Sequence, residues 1–297
     1  MFDALSVLDD LRRESEELDR LVAELGEDRW ALATPAPGWT VAHQIAHLAW
    51  TDRAALLAAT DPGAFAAEVD KAAAAPDSFV DEGAQQGAAL APAELLARWR
   101  AGRDELARVL AEAPPGARLP WYGPPMAVPS MASARLMETW AHGQDVADAL
   151  GVRRTPTGRL RHVARIGVRA RDFAFAVRGE SAPREEFRVE LTAPVTGESW
   201  AYGPEGAAQR VTGPALDFCL LVTRRAHRAD LSLRAEGADA DRWLDIAQAF
   251  AGPPGAGRAP RAPGDTPRAD GAQGGGARAA ASQAHVASGD RTPGACA

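Results

Sequence analysis

Apolar residues recur at three- and four-residue spacing through Leu5, Leu8, Leu11, Leu18, Leu21, Val22 and Leu25. That stripe predicts an amphipathic helix closed by Gly26, a residue suited to the position just past a helix end. A second helix is predicted from Thr40, a good N-cap behind the turn Pro37-Gly38-Trp39, to the stop at Asp61-Pro62-Gly63. A third runs from about Pro92, favoured in a first turn, to Pro114-Pro115. A fourth follows the proline-rich stretch Pro124 to Pro129 and ends at Leu150-Gly151. Four helices, three with clear apolar stripes, predict a bundle. The connection from Asp61 to Ala91 is long enough to form a flap over the bundle or to hold a short helix of its own.

The pattern then changes. A fifth helix is predicted over Thr157 to Arg178, with Gly179 closing it. Phe187, Val189 and Leu191 alternate, and Trp200 and Tyr202 follow a turn at Gly197, the mark of a hairpin. Gly213-Pro214 opens an apolar helix to about Arg225, Leu231 and Leu233 predict a strand, and Asp239 to Phe250 a last helix. The fold class expected is therefore α+β: a helical bundle over residues 1–155 and a small α/β unit over 156–252. Residues 253–297 consist largely of Gly, Pro, Ala and Arg with almost nothing to bury, which predicts a disordered tail outside the fold.

The chain has 297 residues, 46% hydrophobic and 25% charged, enough to bury a sizeable core. No apolar run approaches the ~18 residues a membrane span needs. The segment Met1 to Glu17 is acidic and amphipathic, unlike a signal peptide, so the expected location is the cytoplasm, with no membrane partner. Net charge is −7; five arginines and three aspartates beyond Gly252 leave −9 on the rest, which argues against nucleic acid as a partner. Two cysteines make no disulfide framework, and Cys219, in the apolar run Phe218 to Val222, is predicted to be a reduced core residue.

Candidate chemistry lies on two helices. His43 and His47 are four residues apart on the second, and Glu138 and His142 four apart on the fourth, so each pair shares one helix face. Both pairs sit in apolar surroundings: Val41, Ile45 and Leu48 in one, Leu136, Met137 and Val146 in the other. If the helices face each other, up to three imidazoles and a carboxylate converge, a ligand set for a divalent metal. Either pair alone is as a rule a surface or satisfied core contact, and spacing leaves both readings open. Asp145 is either an acceptor for a ligand imidazole or a solvated helix residue. Trp39, Trp50 and Trp140 flank the pairs, with core packing expected for at least two of them.

The run from Pro37 through His43 and His47 to Leu48 resembles the second-helix signature of the DinB-like metal-binding superfamily. It is most similar to the mycothiol-dependent maleylpyruvate isomerase branch, and Glu138-Thr139-Trp140-Ala141-His142-Gly143-Gln144-Asp145-Val146 resembles that branch's second metal segment. The resemblance covers Leu5 to Gly151 as the bundle and extends more weakly to about Gly252. It implies a DinB-like four-helix bundle and a divalent metal, usually zinc, held by His47, Glu138 and His142. His43 matches a position that is often histidine but is not a ligand. Three protein ligands leave a position open, the catalytic pattern. The resemblance further implies a small thiol, mycothiol or another, activated by the metal in an isomerase or S-transferase reaction on a small-molecule substrate. No cysteine falls in either motif, so the sulfur would come from a cofactor. The branch places an arginine near Arg224 and Arg225 for its anionic substrate or thiol; a solvated helix end is the other reading of that pair. A non-catalytic metal- or ligand-binding protein of the same fold is the alternative function.

Overall fold

A computed structural model describes residues 4–76, 78–252 and 255–262. The first helix, α1 (Ala4–Val22), stops before Gly26, which instead leads into the single turn α2 (Glu27–Trp30). α3 (Val41–Thr60) begins at Thr40, as its sequence predicts. The long connection folds as two helices, α4 (Pro62–Ala74) and α5 (Phe79–Ala88). α6 (Pro92–Glu112) follows, then a two-stranded ribbon of β1 (Arg118–Leu119) and β2 (Met126–Ala127) that the proline-rich sequence conceals. α7 (Val128–Leu150) takes Pro129 into its first turn and ends on Gly151, whose φ of 66° is the left-handed conformation that closes helices without steric cost.

The helix predicted over Thr157 to Arg178 is two: α8 (Leu160–Arg169) and α9 (Arg171–Ala176). They bend at Ala170 because α8 packs on α7 and α10 (Ala215–Val222), whereas α9 packs on α11 (Ala238–Ile246). The hairpin forms as predicted, with β3 (Phe187–Thr192) antiparallel to β4 (Ser199–Tyr202) and Leu191 opposite Trp200. A further strand, β5 (Gln209–Pro214), lies parallel to β3 just before α10, and β6 (Arg234–Glu236) completes the order β4-β3-β5-β6. Leu231 and Leu233 keep the alternating face, but the ladder starts only at Arg234, opposite Thr212. Continuing it would bring Pro214, which has no N–H to donate, into the register.

α7 is the element on which both halves close. One buried cluster joins Leu136, Met137 and Trp140 of α7 to Leu191, Val211, Phe218 and Trp243 of the sheet and its helices. Another packs Leu18, Ile45, Trp99 and Val146 between α1, α3, α6 and α7. Cys219 is buried in the first cluster, as predicted, and burial pushes its thiol far up. Among the described residues no helix is long and apolar enough to cross a membrane.

The compact body runs to Arg261, nine residues beyond the predicted end of the fold at Gly252. Arg258 hydrogen-bonds the buried carboxylate of Asp145, and the Arg261 N–H donates to Asp230 Oδ2 at 3.1 Å. Composition misses this segment because charge, not apolar burial, anchors it. Residues 263–297, the rest of the predicted tail, lie outside the described residues. A chain ending at residue 262 should therefore keep the stability of the whole protein. One ending at 252 should lose about 1.5–3 kcal/mol, the usual worth of a hydrogen bond to a charged group. Equal urea midpoints for the two truncations would show that Arg258 does not hold the body.

Candidate functional site

At the start of α3, the Thr40 N–H donates to His43 Nδ1 at 3.2 Å, and the Thr40 hydroxyl lies 2.8 Å from the same nitrogen. The His43 proton thus sits on Nε2, which is 2.9 Å from Gln85 Oε1 on α5. His43 caps one helix and ties down another. α5 lies close against α3 because its own residues are small: a Cβ at Gly83 would fall 2.8 Å from the Trp50 ring, and one at Gly87 2.7 Å from the Ala46 Cβ. Trp39 Nε1 adds a bond to Asp81 at 3.0 Å.

One turn further along α3, His47 faces Glu138 and His142 of α7. Potential ligand atoms of these three side chains lie within 4.8 Å of one another, and the side chains are 9%, 17% and 12% exposed. The other imidazole on α3, His43, is not part of this group. The spacing that allowed three imidazoles to converge resolves to two and a carboxylate.

The protons in this cluster can be traced from a group with no choice. The Trp39 carbonyl can only accept, so the Thr34 hydroxyl, 2.9 Å away, donates to it. The Thr34 oxygen then accepts from Gln44 Nε2 at 2.8 Å. That turns Gln44 Oε1 toward His142 Nδ1, 2.5 Å away, and places the ring proton on Nδ1. His142 Nε2 is left with a bare lone pair 3.2 Å from Glu138 Oε2. His47 Nε2 is 3.2 Å from the same oxygen, and His47 Nδ1 is buried without a hydrogen-bond partner. An unprotonated nitrogen thus faces a carboxylate oxygen with no hydrogen between them. A cation in that gap turns the repulsion into two bonds, so the donor set fits a divalent metal.

Electrostatics agree. Burial chiefly, with the charge of His47 next, pushes His142 down to about 4, so it is neutral near pH 7. Burial works against ionisation of Glu138, but the neighbouring imidazoles and the charge of Arg135 outweigh it and hold the carboxyl well below its usual range. A cation arriving at neutral pH has no proton to expel from His142 Nε2 or Glu138. The same shift predicts a stability profile for the chelated protein. The unfolded chain takes up the His142 proton near the ordinary 6.5 while the folded chain refuses it until about 4, so stability is complete above 6.5 and falls as pH drops toward 4. His162, lowered first by burial against its bond to Asp10, contributes with the same sign. Asp52, buried on α3 and pushed up to about 6 chiefly by burial, opposes this trend. Urea midpoints at pH 7.5 and 5 in the parent and in His142→Gln isolate the His142 share, and an equal pH dependence in the two would refute it.

Trp39 stacks on His142 at a centroid distance of 5.9 Å and tilts over His47 at 5.3 Å. Trp50 approaches His47 at 6.0 Å and meets Phe79 edge-on at 5.1 Å. Trp140 alone of the three tryptophans is in the core; the other two wall the histidines.

Neither expectation for Asp145 holds. It is 1% exposed and binds Arg225 Nη2 at 2.9 Å as well as Arg258. The acceptor for the imidazole is Gln44, a residue that helical spacing does not single out; its signal was being the one amide side chain on α3. Arg225 therefore reaches the vicinity of His142 through Asp145. Arg224 is directed elsewhere, into a cavity whose lining includes none of the three clustered side chains.

Known proteins share both the sequence and the fold. A family model described as the mycothiol maleylpyruvate isomerase N-terminal domain matches residues 11–147, and one described as wyosine base formation matches residues 183–235. Uncharacterized proteins of Mycobacterium tuberculosis strains CDC 1551 and H37Rv are each 59% identical over 249 residues, covering 84% of this chain and 96% of their own. The crystal structure of a mycothiol-dependent maleylpyruvate isomerase matches with a TM-score of 0.53 at 16% identity, covering 76% of this chain and 90% of that one. A histidine-to-alanine mutant of such an isomerase matches with a TM-score of 0.54 at 16% identity, covering 79% and 93%. That likeness is one of fold.

Proposed function

Because the chain belongs to the maleylpyruvate isomerase-like branch of the DinB-like superfamily, we propose that it is a divalent-metal enzyme using a small external thiol in an isomerase or S-transferase reaction. His47, Glu138 and His142 are its ligands, and zinc suits two imidazoles and a carboxylate. The observation that carries the reading is the bare His142 nitrogen set against the Glu138 carboxylate.

When bound, the metal supplies a Lewis acid that favours the thiolate of a coordinated thiol at neutral pH. The rest falls to the chain. Gln44, anchored through Thr34 to the Trp39 carbonyl, keeps the His142 lone pair aimed at the centre. Trp39 and Trp50 shield the histidines from water and leave an aromatic wall for the apolar part of a small substrate. An external thiol is the sulfur source we assign, since no cysteine falls in either motif and Cys219, the cysteine among the described residues, is buried in the other core. Mycothiol is the thiol the family suggests, and a reducing compartment such as the cytoplasm fits that chemistry. Arg225, bonded to Asp145 and close enough for its charge to act on His142, is the arginine we assign to an anionic substrate or the thiol.

The test is a cobalt-substituted protein titrated with mycothiol. Sulfur entering the coordination shell should produce thiolate charge-transfer absorption, weakening as pH falls because a proton competes for the sulfur. If no thiol tested changes the spectrum, the thiol-dependent reading fails, leaving chemistry on bound water or a binding protein without catalysis.

A further inference from the structure

We propose that the α/β unit carries a second binding site, for a small molecule with one anionic head group, carboxylate or phosphate, on an apolar body, between Arg178 and Arg224. The cavity there has a volume of about 630 Å³, within the range of small-molecule sites. Leu221, Leu231, Leu233 and Leu244 form its apolar side.

Its charge is unbalanced in a specific way. Among the described residues Asp245 is the only carboxylate in the lining, and Arg228 Nη1 already holds it at 2.6 Å. Arg258 is engaged with Asp145. Arg178 and Arg224 make no ion pair among the described residues, and Arg178 Nε is buried with no hydrogen-bond partner. Glu180, which feels the charge of Arg178, is taken by Arg242 Nε at 3.1 Å. Two half-buried guanidinium groups, repelling one another and lacking an anion, are the arrangement that binds one. Burial first, and then the charge of Arg178, accordingly makes Arg224 less basic than usual.

Backbone geometry adds an independent observation. The Arg224 N–H donates to Leu221 O at 2.9 Å and the Arg225 N–H to Leu220 O at 2.8 Å, which closes α10 and puts Arg224 in the left-handed position, φ 59°. Glycine is the usual residue there, because any side chain costs energy. Arg224 stands in a place its backbone disfavours, and its guanidinium is what it brings to the cavity. The segment from Gly255 to Arg258 lies directly upon it: a Cβ on Gly257 would come within 2.5 Å of Arg224 Nη2.

The test uses the full-length, metal-loaded protein in calorimetric titrations with hexanoate, hexyl phosphate and, as a body-only control, hexanol. One of the two anionic probes, or both, should bind once per chain, hexanol at least tenfold more weakly. Arg178→Gln and Arg224→Gly should each weaken the anion at least tenfold with metal content unchanged. Arg224→Gly should also raise the melting temperature by about 2–4 °C, since glycine relieves the left-handed residue, so lost binding could not be ascribed to unfolding. Chelation should leave anion binding intact, which separates this site from the proposed metal centre. No binding of either anion at millimolar concentration, binding that survives both substitutions, or binding that disappears with the metal would each overturn the proposal.

Discussion

His142→Ala is expected to empty the metal centre, with elemental analysis of purified protein falling from about one divalent ion per chain to none. Of the three proposed ligands, His142 is the one whose protonation the surrounding chain dictates, through Gln44, Thr34 and the Trp39 carbonyl. Its loss leaves His47 and Glu138, too few for a tight site. His47→Ala should act likewise. Gln44→Ala leaves all three ligands in place but frees the ring to turn and to move its proton, so metal affinity should drop by about 10–100-fold. His43→Ala should retain the metal and cost only about 1 kcal/mol of stability, because that ring caps α3 rather than facing α7. Competition with a chromophoric chelator measures all four. If Gln44→Ala binds metal as tightly as the parent protein, Gln44 does not fix the proton on His142 Nδ1. If the parent holds no metal even after zinc loading, the three side chains form no metal centre.

Glu14→Ala should destabilise the protein by about 3 kcal/mol in chemical denaturation. Glu14 is 1% exposed on α1 and accepts from Arg159 Nε at 2.6 Å and from Arg154, whose side chain is 6% exposed. Removing the carboxylate strands two largely buried cations. Glu17, 3.1 Å from Arg154 Nη2, still offers some compensation, which keeps the cost at the low end for a broken buried pair. Arg154 also donates to the Trp140 carbonyl at 3.0 Å, so this cluster clamps α1 to the helix bearing Glu138 and His142. Glu14→Ala protein that still folds should therefore bind metal less tightly as well. The more exposed pair Lys71–Glu68, 2.7 Å apart on α4, is the contrast: breaking it should cost under about 1 kcal/mol. A Glu14→Ala loss no greater than that would mean the buried cluster contributes specificity without stability.

Much of the fold was legible in the chain, because it depends on short-range rules. Helix α3 could be read from Thr40 and a stripe of apolar residues, α7 from its apolar stripe and Gly151, and the β3–β4 hairpin from strict alternation about Gly197. The i, i+4 pairs placed His47, Glu138 and His142 on the right faces, since helical geometry alone dictates which side chains stack. Strand β5 was not legible: Gln209 to Pro214 contains one buried apolar residue, Val211, and becomes a strand only because β3 and β6 flank it. Nor was the bend at Ala170, where α8 and α9 answer to different partners. The same division runs through the functional residues. Sequence order makes Arg224 and Arg225 neighbours, but the left-handed turn at Arg224 sends one side chain into the cavity and the other to Asp145. Residue types and spacing determined which groups could meet. Which nitrogen of His142 carries its proton, what Asp145 holds and which arginine lacks a partner were decided by tertiary contacts, because hydrogen bonds and ion pairs depend on positions in space that distant parts of the chain bring together.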